Sequence, residues 1–289
     1  MPELPEVETV RRGLKSLIVG REVKKVVHDT QKSFPNTEND VNNFLIGAEI
    51  KHIRRRAKVL MIDLSTEYTL VIHLKMTGQL VFRAHDVVFG AGHPSDSLVG
   101  KLPDRSTRVT ITFSDGSHLY FNDQRKFGWM RLMPMLEVPN IDFMRKVGPE
   151  PLENDFTVEQ FTERFNRRVR SPIKAALLDQ TVIAGVGNIY ADESLWGAKI
   201  HPLRLVSTIT KDEFVSIYSE IRYVMNLSIE KGGSTDRNYV NAEGKRGSYM
   251  DFARVFRREG LACSRCGTII IKIKVVGRGT HICPHCQML

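Results

Sequence analysis

The chain has 289 residues, of which 42% are hydrophobic and 26% are charged, and its formal net charge is +9. This length suggests two domains with cores of their own, and the composition is that of a globular protein rather than a disordered one. No apolar run is long enough to cross a membrane and no signal-sequence pattern opens the chain, so we expect an intracellular, cytoplasmic protein without a membrane partner.

The excess positive charge is shared by both halves of the chain. A basic tail would concentrate the charge at one end, whereas this spread suits a polyanion that lies across two domains. Many basic proteins bind no polyanion, so the charge indicates a class of partner and does not establish it.

The first six residues combine two prolines with two glutamates. We expect the initiator methionine to be removed, which makes the α-nitrogen of Pro2 a secondary amine able to form an iminium with a sugar aldehyde. Glu3 is adjacent and could act as the general acid and base for that chemistry. The alternative is that Pro2 and Pro5 simply open a helix. The six residues leave both interpretations open.

The rest of the first half is predicted to form short strands separated by turns, which favours an antiparallel β-sandwich over a parallel α/β sheet. The clearest hairpin is at Asp115-Gly116, a turn dipeptide between two alternating runs. One short helix is expected at 36–47, and residues 85–106 are expected to form an exposed loop. The predicted strands cover residues 22–29, 48–54, 58–64, 68–75, 79–84, 107–113, 117–122 and 128–133.

The segment from Asn122 to Gly128 places an arginine, a lysine and a phenylalanine side by side. These residue types at a loop tip can wedge into a kinked duplex and clamp its backbone. An ordinary loop between two strands is the other interpretation.

The second half is predicted to be helical, after a connection punctuated by four prolines between 134 and 151. Residues 184–190 form two tight turns that run into a helix, and the helix amino terminus with Asn188 suits one backbone phosphate, although a plain turn is the alternative. Residues 233–248 are irregular, and loops of that length tend to be functional or mobile. Helices are predicted at 157–168, 171–179 and 210–231, the first and last opened by capping boxes.

The carboxyl-terminal cysteines have the spacing of a zinc ribbon. Two CxxC pairs stand sixteen residues apart, and the segment between them can form a hairpin that brings the pairs together. Two disulfides are the competing interpretation, which fits poorly with an intracellular chain. Four thiolates complete the coordination of one structural zinc ion, whose predicted ligands are Cys263, Cys266, Cys283 and Cys286. Arg278, between two glycines at the hairpin tip, is then an exposed cation.

Taken together, these features resemble the formamidopyrimidine-DNA glycosylase family (Fpg, also called MutM) from the first residue to the last. The resemblance is carried by MPELPEVETVRRGL, AGVGNIYADESLW, GGSTDRNYVNAEGKRG and the cysteine-rich ending, in the family's order and spacing. Leu4 indicates the purine-directed branch, since the sister endonuclease VIII group generally has Gly there. The implied fold is α+β, with an N-terminal antiparallel β-sandwich and a C-terminal helix-two-turns-helix domain with a zinc-ribbon hairpin. The implied boundaries are 1–135 for the catalytic sandwich, 136–152 for the hinge, 153–258 for the helical domain and 259–289 for the zinc finger.

The resemblance implies a bifunctional DNA glycosylase and abasic-site lyase that acts as a monomer on double-stranded DNA containing a damaged base. Pro2 would attack the sugar, Glu3 would shuttle protons, Glu6 would support the site, and Lys58 and Arg278 would complete the catalytic set. Damaged purines, namely 8-oxoguanine and formamidopyrimidines, would be flipped out and excised, and the strand would be cut by β- and δ-elimination. The implied DNA-binding residues are His73, Met76, Arg125, Lys126, Phe127, Asn188, Arg237 and Arg278.

The chain departs from the family pattern at four positions in two loops, namely Gln124, Lys126, Asp236 and Arg246. The first two replace Pro and Arg, and Lys is a weaker bidentate partner for phosphate than Arg. Two other functions stay open: the same scaffold directed at oxidised pyrimidines, and a zinc-ribbon protein that merely binds DNA. The intact Pro2-Glu3 start favours an enzyme over the last.

Overall fold

The protein is described by a computed structural model that covers residues 2–93, 95–234 and 249–289. Its contacts divide it into two units. Among the described residues, the N-terminal unit comprises 2–93, 95–145 and 231–234, and the C-terminal unit comprises 146–230 and 249–289. The sequence-based boundaries placed residues 231–234 in the helical domain.

The N-terminal unit contains two antiparallel sheets, with strand orders β1-β7-β8-β5-β6 and β2-β3-β4-β9. One buried cluster contains side chains from both sheets, such as Leu80 and Phe82 from one and Ile62 and Ile72 from the other. Because this is the packing of a sandwich, the predicted fold is confirmed. The strands are β1 Val23–His28, β2 Ile50–Arg56, β3 Val59–Leu64, β4 Tyr68–His73, β5 Gly78–Arg83, β6 Val88–Gly92, β7 Thr107–Phe113, β8 His118–Asp123 and β9 Trp129–Pro134. The helices are α1 Leu4–Ile18, α2 Glu38–Phe44 and α3 Asp142–Lys146.

The expectation of an exposed loop at 85–106 was wrong. Strand β6 lies within it and pairs with β5, and Phe89 is fully buried. The sequence Val-Phe-Gly-Ala-Gly shows no alternation because both glycines are needed where backbones meet closely. A Cβ on Gly92, whose φ is +125°, would stand 2.5 Å from the carbonyl oxygen of Gly78.

The C-terminal unit contains short helices packed on one long helix. Its helices are α4 Val158–Glu163, α5 Ile173–Leu178, α6 Asn188–Gly197, α7 Lys211–Glu230 and α8 Tyr249–Phe252. The predicted apolar stripe of α7 is core, since Phe214, Ile217, Ile221 and Met225 are buried. Both predicted capping boxes are present, at Thr157 and at Thr210, where the hydroxyl accepts the N–H of Glu213.

The unit ends in a two-stranded hairpin, β10 Ile271–Val275 and β11 Arg278–Ile282. Val276 and Gly277 form its turn with φ angles of 45° and 75°, the left-handed pair that a tight hairpin requires. Arg278 follows the turn directly and is exposed.

Candidate functional site

The amino terminus is built around reciprocal capping of α1. The carboxylate of Glu3 accepts the backbone N–H of Glu6, and Glu6 Oε2 accepts the Glu3 N–H at 2.8 Å. Glu6 Oε1 accepts the backbone N–H of Ser234 at 3.0 Å. Glu6 therefore also binds the last residue that is described before position 235. Pro2, Glu3 and Glu6 are all buried. Pro5 stands in the first turn of α1, whereas Pro2 lies before the helix, which begins at Leu4.

Lys58 and His73 come together at one end of the four-stranded sheet. Lys58 follows Ala57, whose φ of 52° makes the β2–β3 turn, and the next residue, Val59, pairs with His73. Burial, and then the charges of Lys75 and Lys58, lower the pKa of His73 from 6.5 to about 3. His73 Nδ1 accepts the backbone N–H of Lys75 at 3.0 Å, which leaves the proton of the neutral ring on Nε2 as a donor. The sequence-based reasoning did not select Lys75.

The predicted insertion residues lie on two loops of the N-terminal unit. Arg125, Lys126 and Phe127 are exposed between β8 and β9, and Met76 is half-buried between β4 and β5. Phe127 is 46% exposed, although the Arg125 guanidinium lies 4.9 Å from the centre of its ring and the Lys32 ammonium 5.7 Å from it. An aromatic ring this exposed on a loop is accessible for insertion into a base stack.

Asn188 and Arg278 are neighbours in the C-terminal unit. Asn188 is the first residue of α6, and its Nδ2 donates to the carbonyl oxygen of Gly279 at 3.0 Å. The start of α6 is therefore tied to the strand that carries Arg278. Helix amino termini and exposed guanidinium groups both bind phosphate, so this arrangement offers two neighbouring groups that can donate hydrogen bonds to phosphate oxygens.

A buried ionic network under Arg278 was missed by the sequence-based reasoning. Lys174 and Asp192 have fully buried side chains, and their Nζ and Oδ1 atoms lie 2.6 Å apart. Lys174 Nζ also donates to Thr280 Oγ1 at 2.6 Å, and Asp192 Oδ2 accepts the backbone N–H of His281 at 2.9 Å. The network thus fixes β11 just after Arg278. A lone lysine in the otherwise apolar segment Ile-Lys-Ala-Ala-Leu-Leu was the available signal.

The four cysteines form the site of one structural zinc ion. Their sulfurs all lie within 4.8 Å of one another, with separations of 3.9 Å for Cys263–Cys286, 3.4 Å for Cys266–Cys283 and 3.5 Å for Cys266–Cys286. A tetrahedral zinc ion with bonds of about 2.3 Å needs sulfurs roughly 3.8 Å apart, whereas a disulfide needs about 2.05 Å. The thiolates therefore fit zinc, as predicted, and the disulfide interpretation was wrong.

The predicted contact Arg237 lies outside the described residues, as do the departures Asp236 and Arg246. Among the helices that are described, none has the length and apolar character needed to span a membrane.

Comparison with known proteins identifies the chain along its full length. The formamidopyrimidine-DNA glycosylase N-terminal domain matches residues 1–130, the family's helix-two-turns-helix domain matches 147–239, and the zinc finger found in that family and in isoleucyl-tRNA synthetase matches 260–287. The formamidopyrimidine-DNA glycosylase of Pediococcus pentosaceus is 42% identical over 289 residues and covers all of both chains. That of Streptococcus pneumoniae is 41% identical over 290 residues and covers 99% of each.

Solved structures agree. Lactococcus lactis Fpg bound to DNA containing Fapy-dG superimposes with a TM-score of 0.87 at 34% identity, with complete coverage of both chains. A MutM complex with DNA containing carbocyclic 8-oxo-G gives 0.86 at 35% identity, also with complete coverage. The chain therefore belongs to the formamidopyrimidine-DNA glycosylase family, and is a DNA glycosylase with abasic-site lyase activity that acts on damaged DNA in base excision repair.

Proposed function

We propose that this enzyme excises oxidised purines, 8-oxoguanine and formamidopyrimidines, from double-stranded DNA through a Schiff base on Pro2. The observation that carries the proposal is the placement of Glu3, which is 3% exposed and held by the capping box directly beside residue 2. A proton donor fixed next to a secondary amine is the pair that imine chemistry on a sugar requires. Relatives solved with Fapy-dG, 8-oxo-G and abasic-site DNA support the choice of substrate.

The reaction follows from these two groups. The Pro2 nitrogen attacks C1′, the bond from C1′ to the base breaks, and the base leaves with the bonding pair and takes up a proton. The sugar ring then opens as O4′ is protonated, which gives the iminium. Loss of a C2′ proton expels the 3′ phosphate, and loss of the C4′ proton in a second elimination expels the 5′ phosphate. Glu3 donates and accepts the protons in these steps.

The other candidates bind and orient the DNA. Lys58 supplies positive charge beside the lesion, and His73, which stays neutral because of its lowered pKa, donates from Nε2 to a phosphate oxygen. In the C-terminal unit Asn188 and Arg278 bind backbone phosphates, and the zinc site stabilises the hairpin that presents Arg278. Zinc takes no part in the chemistry, because four thiolates leave it no open position.

Met76, Arg125 and Phe127 fill the gap left by the flipped nucleotide, with Arg125 facing the orphaned base. Lys126, and Arg237 outside the described residues, are proposed backbone contacts on the strength of the family motif. Since genomic DNA is the substrate, we propose that the enzyme works in the cytoplasm. The expectation of a monomer also stays a proposal.

Oxidised pyrimidines are a second candidate substrate class. One observation favours them: a solved relative, Lactococcus lactis Fpg at 34% identity, is bound to DNA containing an oxidised pyrimidine. Leu4 argues for purines as the main class, because the pyrimidine-directed sister group generally has Gly at that position. Comparison of excision rates on matched 8-oxoguanine and oxidised-pyrimidine duplexes decides between them.

Borohydride trapping tests the proposal. The enzyme incubated with an 8-oxoguanine duplex and borohydride should give one covalent adduct that maps to the residue-2 nitrogen. A short N-terminal extension should abolish the adduct, since an acylated nitrogen cannot form an iminium. The matched control is the same extension after Leu289, which is exposed. An adduct of normal yield with the N-terminal extension would rule Pro2 out.

Glu3→Gln separates binding from chemistry. It should keep duplex affinity while base excision falls by about 100-fold or more, the usual contribution of a general acid–base group. Near-normal excision by this variant would remove Glu3 from the mechanism.

A further inference from the structure

One buried carboxylate joins the two loops that carry the gap-filling side chains. Met76 lies on the loop between β4 and β5, whereas Arg125 and Phe127 lie on the loop between β8 and β9. Asp123, the last residue of β8, has an exposed fraction of 0% and contacts both loops. Because the side chain is buried, it cannot itself touch DNA.

The hydrogen bonds of Asp123 reach both ends of the second loop and one residue of the first. Oδ2 accepts the backbone N–H of Gly128 at 2.6 Å, and Oδ1 accepts the backbone N–H of Arg125 at 3.2 Å. Oδ1 also accepts the hydroxyl of Thr77, the residue after Met76. Thr77 Oγ1 in turn accepts the Arg125 N–H at 3.1 Å, so that N–H is shared between the two side chains.

Each loop ends at a glycine whose backbone is packed too closely against its neighbours to shift easily. A Cβ on Gly128 would stand 2.8 Å from the ring of Phe121 and 3.0 Å from the carbonyl oxygen of His73. A Cβ on Gly78 would stand 2.3 Å from the carbonyl oxygen of Leu74. Only a backbone without a side chain allows these approaches, so the loops have little room to relax if the bonds to Asp123 are lost.

A carboxylate suits this position better than an amide. Three donors converge on its two oxygens, and both oxygens of an ionised carboxylate accept. An asparagine would turn an NH2 group toward one set of donors and lose those bonds, while its size and shape would be kept. The loops are therefore held together by the hydrogen bonds that the Asp123 carboxylate accepts and not by the volume of its side chain.

We propose that Asp123 is a positioning residue that holds Met76, Arg125 and Phe127 as one preorganised insertion unit. The inference rests on the proposed function, because it assigns these side chains to the gap left by the flipped nucleotide. A wedge that is already ordered loses little conformational freedom when it enters the stack, so more of its contact energy is available to hold the nucleotide out. Thr77 is the partner through which the Met76 loop joins the unit.

The test compares Asp123→Asn with Asp63→Asn. Asp63 is also buried, at 2% exposure, and accepts hydrogen bonds from Arg54 and Thr69, but it lies in β3 opposite Thr69, at the other end of the sheet from His73. Both changes should lower the unfolding midpoint. Single-turnover excision from a stacked 8-oxoguanine duplex and strand cleavage at a preformed abasic site are then measured for each.

Asp123→Asn should slow excision of the stacked lesion by about 10-fold, the scale expected when a positioned group loses its alignment. The same variant should cleave at the abasic site at a rate within about 2-fold of the wild-type rate, because less stacking must be broken there. 2-Aminopurine beside the lesion should become fluorescent more slowly by the same factor. Asp63→Asn should leave the ratio of the two rates unchanged.

A second pair of variants keeps the test decisive if Asp123→Asn fails to fold. Thr77→Val removes the hydroxyl and should slow excision selectively, whereas Thr77→Ser keeps it and should restore the wild-type ratio. Equal slowing on both substrates, or a rate ratio like that of Asp63→Asn, would overturn the inference and leave Asp123 as a stabiliser of the sheet end. Failure of the wild-type enzyme to form a borohydride adduct would instead overturn the proposed function.

Discussion

Replacing Lys174 with Met should strongly destabilise the C-terminal unit. The Lys174 and Asp192 side chains are fully buried, and the ammonium also donates to Thr280 Oγ1 at 2.6 Å. Methionine fills a similar volume but removes the charge and the hydrogen bonds that the ammonium donates. Asp192 would then be a buried carboxylate whose remaining described bonds come from the N–H and the ring of His281.

The cost follows from leaving one charge of a buried pair uncompensated, which is typically about 3–5 kcal/mol. The matched control is Lys272→Met. Lys272 is 52% exposed and lies 3.5 Å from Glu259, so its pair should contribute less than about 1 kcal/mol. Both substitutions remove an ammonium group, and the expected difference between them comes from the burial of the Lys174–Asp192 pair and from the further bond of Lys174 to Thr280.

Urea unfolding followed by tryptophan fluorescence measures the effect. The chain has 2 tryptophans, and Trp196 lies in the C-terminal unit. A Trp129→Phe background therefore makes Trp196 the only tryptophan reporter, and zinc is kept saturating in every sample. The double variant Lys174→Met/Asp192→Leu should recover much of the lost stability, because replacing both partners with apolar residues is often neutral.

The reasoning would be refuted if Lys174→Met cost no more than Lys272→Met. It would also fail if the double variant were as unstable as the single one, since the uncompensated carboxylate would then not be the cause.

Further outcomes are expected at four residues. Arg278→Ala should lower the slope of log affinity against log salt by about 1 unit, as for one lost phosphate contact. Phe127→Ala should leave that slope unchanged and weaken binding to paired lesions more than to abasic sites. If fluorescence-anisotropy titrations gave Phe127→Ala the same slope as Arg278→Ala, Phe127 would not be a wedge. Cys283→Ser should lose the zinc, measured by metal analysis, and with it DNA binding, so full activity without zinc would contradict the structural role. Because the pKa of His73 lies at about 3 rather than 6.5, the unfolded chain binds the extra proton, and the stability present above pH 6.5 is lost as the pH falls toward 3. His73→Gln should reduce that loss by up to about 1.4 kcal/mol per pH unit in denaturant titrations, and an unchanged pH dependence would place the His73 pKa elsewhere.

The sequence alone was sufficient for the features that depend on local signals. The zinc site follows from cysteine spacing, the helix starts at Thr157 and Thr210 from capping boxes, and the hairpin at Asp115-Gly116 from its turn dipeptide. Each of these signals lies within a few neighbouring residues or, for the cysteines, in a short motif that occurs twice. Such signals can therefore be read directly from the sequence. The family itself was recognised from four such segments.

Only the tertiary structure decided which distant residues form hydrogen bonds with the buried charged side chains. Asp123 meets Thr77 across 46 residues, and Lys174 meets Thr280 across 106. Strand β6 was missed for a related reason, since its glycines serve contacts with Gly78 and Leu98 rather than a strand periodicity. A buried polar group must find its partner wherever the chain folds back, and no local pattern records that distance. Such contacts become visible only when the sheets and helices are packed.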